Sequence, residues 1–115
     1  MENLGTLTLA SILFVIAGLL LRFLPPGINR FYGYRTNTSM ANQENWDFSQ
    51  KYSGGLFAIF GIALLLIALL IEYAEINIAN HTGKVTVGIL VIGSIISIFV
   101  LTEKAMKKNG KINGE

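Results

Sequence analysis

The sequence predicts an all-α integral membrane protein: three transmembrane helices with a cytoplasmic amphipathic segment between the first two. Three observations predict it. The apolar runs Leu7–Leu24, Leu56–Ile71 and Val85–Leu101 hold a single charged residue, Arg22, near an end. A bilayer core takes roughly 20 mostly apolar helical residues, and in lipid an isolated backbone segment satisfies its own hydrogen bonds only as a helix. Hydrophobic residues make up 52% of the chain and charged ones 14%, which excludes a disordered protein. At 115 residues the chain reads as one membrane domain, 1–115, without a soluble module.

Charge placement orients it. Arg22, Arg30, Arg35 and Lys51 lie between the first and second runs, and Lys104, Lys107, Lys108 and Lys111 follow the third. Only Lys84 lies in the short connection between runs two and three. The positive-inside rule therefore puts the N-terminus outside and the long loop and C-terminus in the cytoplasm. The leading Met1–Thr6 segment carries Glu2 and no Lys or Arg, so the first run reads as a spanning helix and not as a cleaved signal.

The elements follow in order. Helix one runs from about 4 to 24, with Arg22 extending its guanidinium to the headgroups and Pro25-Pro26 ending the helix. The motif loop covers 25–52. Within it, Met40–Tyr52 reads as an amphipathic segment with Ser39 or Thr38 as N-cap and Met40, Phe48 and Tyr52 on one stripe. It either lies in the interface or continues helix two. Phe31, Tyr32, Tyr34, Trp46 and Tyr52 are candidates for a cytoplasmic aromatic belt. Helix two, about 53–71, carries a face of small residues at Gly54, Ala58, Gly61 and Ala68; helix three, about 85–102, offers Thr86, Gly93 and Ser97. Such faces let helix backbones approach closely in lipid, so the expectation is a hairpin of helices two and three, with homo-oligomerisation as the competing use. The polar basic tail, 103–115, is expected to be unstructured beyond Lys108 and to contact anionic lipid.

The chain offers little for catalysis. There are no cysteines, and His81 is the single histidine, so no metal site and no cofactor is expected. Glu44 and Asp47 are neighbours on a helix, but nothing completes an acid–base site around them. No Asp or Glu falls in a helix centre, which disfavours ion-coupled transport. A binding role without nucleic acid is the expectation, and the loop is its candidate seat. Arginine presents a planar fork suited to phosphate or carboxylate, so Arg35 beside Thr36 could make an anion-holding corner. Equally, Arg35 could tie the loop to helix carbonyls or to Glu44 and Asp47.

The loop string is specific. Asn29-Arg30-Phe31-Tyr32-Gly33-Tyr34-Arg35-Thr36, then Ser39-Met40, Asn42 and Asn45-Trp46, followed by Gln50-Lys51-Tyr52, resembles the signature of the SdpI family of bacterial membrane proteins. The resemblance implies a bacterial plasma-membrane protein of the toxin-immunity type. Its founding member protects toxin-producing cells from their own killing factor and holds a cytoplasmic repressor at the membrane. The chain is shorter than that member and matches its motif-bearing half. By resemblance the motif residues Asn29, Arg30, Gly33, Arg35, Thr36, Ser39, Asn45 and Trp46 form the partner-binding candidates. Arg35 is the expected anion donor, Trp46 an interfacial wedge, Thr36 and Ser39 the turn-ordering hydroxyls, and Asn45 a partner for loop carbonyls. The expected partners are membrane lipids and a peptide toxin or cytoplasmic regulator; the alternative is a small scaffold or accessory subunit whose motif is purely structural.

Overall fold

The computed structural model describes residues 5–29, 31–77 and 80–112, with side chains through Asn109. The described residues form three helices: α1 (Gly5–Phe23), α2 (Gln43–Tyr73) and α3 (His81–Ile112). All three are long and apolar enough to cross a membrane.

Their lengths differ in a way that builds the site. At 1.5 Å per residue, the 19 residues of α1 span about 28 Å, close to a hydrocarbon core of about 30 Å. The 31 and 32 residues of α2 and α3 reach about 46–48 Å and overshoot it. The overshoot is the polar part of each sequence: the start of α2, Gln43–Tyr52, and the end of α3 from Thr102 onward. Both overshoots stand at the same end of the molecule, where α1 stops. Residues 24–29 and 31–42 fold back against them.

Two expectations are corrected and an open alternative is decided. Of the two placements left open for 40–52, the structure has the continuation: residues 43–52 are the first turns of α2, whose inner side (Trp46, Ser49, Gln50) is buried by protein. Asn42, and not Ser39, caps that helix, its Oδ1 accepting from the Asn45 N–H at 2.7 Å. The basic end of α3 stays helical to Ile112 instead of losing structure after Lys108.

The small face of α2 packs on α1, not on α3. A Cβ at Gly18 would lie 2.5 Å from Ala58 N and Gly54 O, and one at Gly54 would lie 2.7 Å from Arg22 N and Gly18 O. A Cβ at Gly61 would lie 2.9 Å from the Ser11 carbonyl. Glycines at these three positions let the two backbones touch, which is how helices gain contact where lipid supplies no hydrophobic drive. On the face of α3 expected to form the hairpin, an added Cβ at Gly93 meets nothing within 4 Å, so no helix backbone approaches there. Instead α3 joins the bundle through buried Val87, Ile98, Thr102 and Met106.

Local signals close the remaining ends. Glu75 (φ 56°) takes the left-handed position after α2, and the Ile76 N–H returns to the Ile71 carbonyl at 3.0 Å. Asn80 caps α3, accepting from the Gly83 N–H at 2.7 Å.

Candidate functional site

The loop is held by side chains from both overshoots. Gln50, fully buried, grips Tyr34 with both ends of its amide: its Nε2 donates to the Tyr34 carbonyl and its Oε1 accepts from the Tyr34 N–H, each at 2.8 Å. One residue of loop backbone is thereby satisfied as it would be by a neighbouring strand. Gly33 makes the approach feasible. Its φ is +110°, and a Cβ there would lie 2.8 Å from Gln50 Oε1 and 3.4 Å from the Trp46 ring.

Trp46 lies beneath this corner with no exposed surface and donates from Nε1 to the Pro26 carbonyl at 2.7 Å. It is therefore a core post tying the start of the loop to α2, not an interfacial wedge. A buried indole keeps its N–H paired, and the carbonyl of Pro26 supplies the partner. Tyr34 is buried too; the belt candidates that remain exposed are Phe31 and Tyr32.

A second layer orders the turn. The Ser39 hydroxyl accepts from the Thr36 N–H at 2.8 Å and points its own proton at the carbonyls of Tyr34 and Thr36, both 3.1 Å away. Thr36 Oγ1 accepts from the Ser39 N–H at 3.1 Å, and Asn45 Nδ2 donates to the Thr38 carbonyl at 3.0 Å. Thr36 and Ser39 thus order the turn between them, and Asn45 satisfies a loop carbonyl. Asn29 forms its own Asx turn, accepting from the N–H groups of Phe31 and Tyr32 at 2.7 and 2.8 Å. Arg30 lies outside the described residues.

The tie to α3 was not legible in the motif. Glu103 Oε2 accepts from the Tyr34 hydroxyl at 2.9 Å and from Thr36 Oγ1 at 3.2 Å. The Tyr34 ring also sits 5.1 Å from that of Phe99. Glu103 at a helix end reads from sequence as a solvated charge, and only the length of α3 carries it to the loop. Burial and the neighbouring Glu103 carboxylate push the Tyr34 phenol well above its ordinary range. Gln50 was visible as part of the motif string, but a glutamine among aromatics carries no signal of its backbone grip.

Arg35 is exposed, and its Nε donates to the Asn29 carbonyl at 3.1 Å. That bond ties the side chain to the loop itself and leaves it exposed. Arg22 does not simply reach for headgroups: its Nη1 donates to the Lys51 carbonyl at 3.2 Å, clasping the end of α1 to α2. The motif thus has two sides. Tyr34, Ser39, Trp46 and Gln50 face inward, while Phe31 (91% exposed), Tyr32 and Arg35 face out.

Below the loop, where α1 and α3 diverge, a cavity of about 330 Å³ opens between Ala17 and Leu20 of α1 and Phe99 of α3. Phe57 of α2 forms its back and Tyr32–Tyr34 its roof.

These features define a class: a three-span helical membrane protein whose one long polar loop is folded onto the projecting ends of two helices. Comparison with known proteins gives the family. The profile of the SdpI/YfhL protein family matches residues 27–102, which contain the whole loop motif, and the chain belongs to that family. It is similar to the uncharacterized protein YfhL of Bacillus subtilis (strain 168), with 35% identity over 96 residues, 83% of this chain and 80% of the relative. No solved structure matches.

Proposed function

We propose that this chain is a non-catalytic binding protein of the bacterial plasma membrane, of the immunity or signalling type, with the N-terminus outside and the loop and C-terminus in the cytoplasm. The observation that supports this reading is the two-sidedness of the motif. A loop needed only to join two helices has no reason to hold Phe31, Tyr32 and Arg35 outward on a clamped backbone. Exposed aromatics beside an arginine are the residues that carry most binding energy at protein interfaces. A membrane-inserted peptide toxin or a cytoplasmic regulator is the partner this face fits. The orientation is supported by the basic residues, which gather at the loop end.

A scaffold reading has its own support, since most motif residues are used up in holding the loop. The two differ in what Arg35 does. Its exposed side chain makes one bond to a loop carbonyl, worth about 1 kcal/mol, so Arg35→Ala should reach the membrane at wild-type level. The experiment exposes a sensitive bacterium to a secreted peptide toxin of the family's type, with wild-type chain, Arg35→Ala or empty vector, and measures survival beside membrane content. Protection by wild type, lost in Arg35→Ala at equal content, is the expected result. No protection by well-expressed wild type would reject the immunity reading and leave the scaffold.

A further inference from the structure

The cavity under the loop is apolar and rich in aromatic rings. Four of its eight lining residues carry one: Tyr32, Tyr34, Phe57 and Phe99. Leu20, Tyr32 and Phe99 are exposed, so the mouth opens outward between α1 and α3. Ala17 to Leu21 belong to the last turns of α1, which sets the cavity at the edge of the hydrocarbon core. Its volume, about 330 Å³, suits a compact small molecule.

One charge stands beside it. Glu103 follows Phe99 by four residues and therefore lies one turn further along the same side of α3. Its Oε2 is 2.9 Å from the hydroxyl of Tyr34, whose ring lines the cavity 5.1 Å from that of Phe99. The partners of this carboxylate are two hydroxyls, Tyr34 and Thr36, which satisfy an oxygen without bringing a counter-charge. The nearby cations do not supply one. The helical period turns Lys104 and Lys108 away from the side of Phe99. Lys107, one turn beyond Glu103, is exposed and makes no ion pair with it, and Arg35 is tied to the Asn29 carbonyl. Among the described residues, a half-buried anion without an ion-pair partner thus adjoins an aromatic slot.

That combination sorts ligands by charge. Aromatic faces attract cations, the more so where water is excluded, and a carboxylate a few ångströms away adds to the attraction. A neutral molecule gains nothing from Glu103, and an anion is repelled by it. We propose that the cleft between α1 and α3 takes a lipophilic monovalent cation, its apolar groups against Ala17, Leu20 and Phe57 and its charge at the Tyr34–Phe99 ring pair beside the Glu103 carboxylate. Such a ligand enters from the membrane edge, where the mouth lies, and the clamped Tyr32–Tyr34 segment covers it. This site stands apart from the immunity reading, since it needs no toxin and no regulator, and either can fail alone.

The test uses the full chain in phosphatidylcholine nanodiscs and two ions of one shape and opposite sign, tetraphenylphosphonium and tetraphenylborate. Binding is measured by equilibrium dialysis, with uptake by empty nanodiscs subtracted. Wild type should bind the phosphonium saturably and about tenfold or more tighter than the borate. This comparison needs no variant to fold. Glu103→Gln keeps an oxygen for the hydroxyls of Tyr34 and Thr36 but removes the charge, so it should melt close to wild type and lose the discrimination between the ions. Ala17→Phe fills the slot from an exposed position on α1 and should lower phosphonium binding by about tenfold. Equal affinity of wild type for the two ions, or discrimination that persists in folded Glu103→Gln, would overturn the charge assignment. Undiminished phosphonium binding in folded Ala17→Phe would overturn the site. Binding of neither ion by wild type would do the same, and would give the cleft to a lipid chain or a second copy of the protein.

Discussion

At the scale of single residues, the motif divides by burial more than by residue type. Gln50 carries the most structural weight, because one side chain satisfies both backbone groups of Tyr34 in a place water does not reach. Gln50→Leu keeps the volume and strands both groups, at about 1–3 kcal/mol for each. The expected outcome is a clear drop in melting temperature in detergent, whereas Asn37→Ala, an exposed loop neighbour, should melt like wild type. Tyr34 gives a pH signature. Its phenol titrates above the usual value because burial, and then Glu103, disfavour the phenolate. A raised folded-state pKa means that the neutral phenol's contribution is intact below the ordinary tyrosine value of about 10 and is lost as pH rises through the folded-state value. Melting temperature should therefore fall steeply above about pH 10 in wild type. In Tyr34→Phe it should start lower and fall less across the same range. A parallel decline in both would place the alkaline sensitivity elsewhere.

At the scale of elements, the apolar runs were legible because hydropathy over some 18 residues needs no knowledge of partners. The partners themselves were not legible. Gly54, Ala58 and Gly61 announce a close helix contact, but both neighbours present small residues, and nothing in the spacing ranks Gly18 of α1 above Gly93 of α3. The backbone contacts decide for α1. Gly54→Leu should consequently disrupt the bundle and lower both membrane content and melting temperature, since its side chain would enter the α1 backbone. Gly93→Leu should be tolerated, its added atoms meeting open space. The reverse ranking would restore the hairpin of helices two and three. Helix ends were also misplaced for a physical reason. Asn42 and Asn80 are good N-caps, yet Ser39 and the start of the apolar run at Val85 competed for the same roles, and capping chemistry alone does not choose among neighbours.

At the scale of the whole molecule, the site exists because of a mismatch in length. One helix matches the bilayer core and two overshoot it, which leaves polar helix flanks that the loop covers. The family motif marked the right segment, and its turn chemistry at Thr36, Ser39 and Asn45 could be anticipated from residue type. What could not be anticipated was the involvement of Glu103, 67 residues from Thr36, or the burial of Trp46, since an indole near a membrane span reads equally well as anchor or core. The two-sided motif therefore rests on one long-range contact, the loop docked on the end of α3. The chain has no cysteine, so introduced thiols report on that contact without interference. The decisive measurement is cross-linking in native membranes of the pair Thr36→Cys with Glu103→Cys by a short thiol-bridging reagent, beside the control pair Phe31→Cys with Glu103→Cys, read by mass spectrometry. Efficient linkage of the first pair and little of the second is predicted, because Thr36 touches Glu103 while Phe31 projects into solvent. Equal or absent linkage in both pairs would contradict the docked loop and with it the two-sided motif.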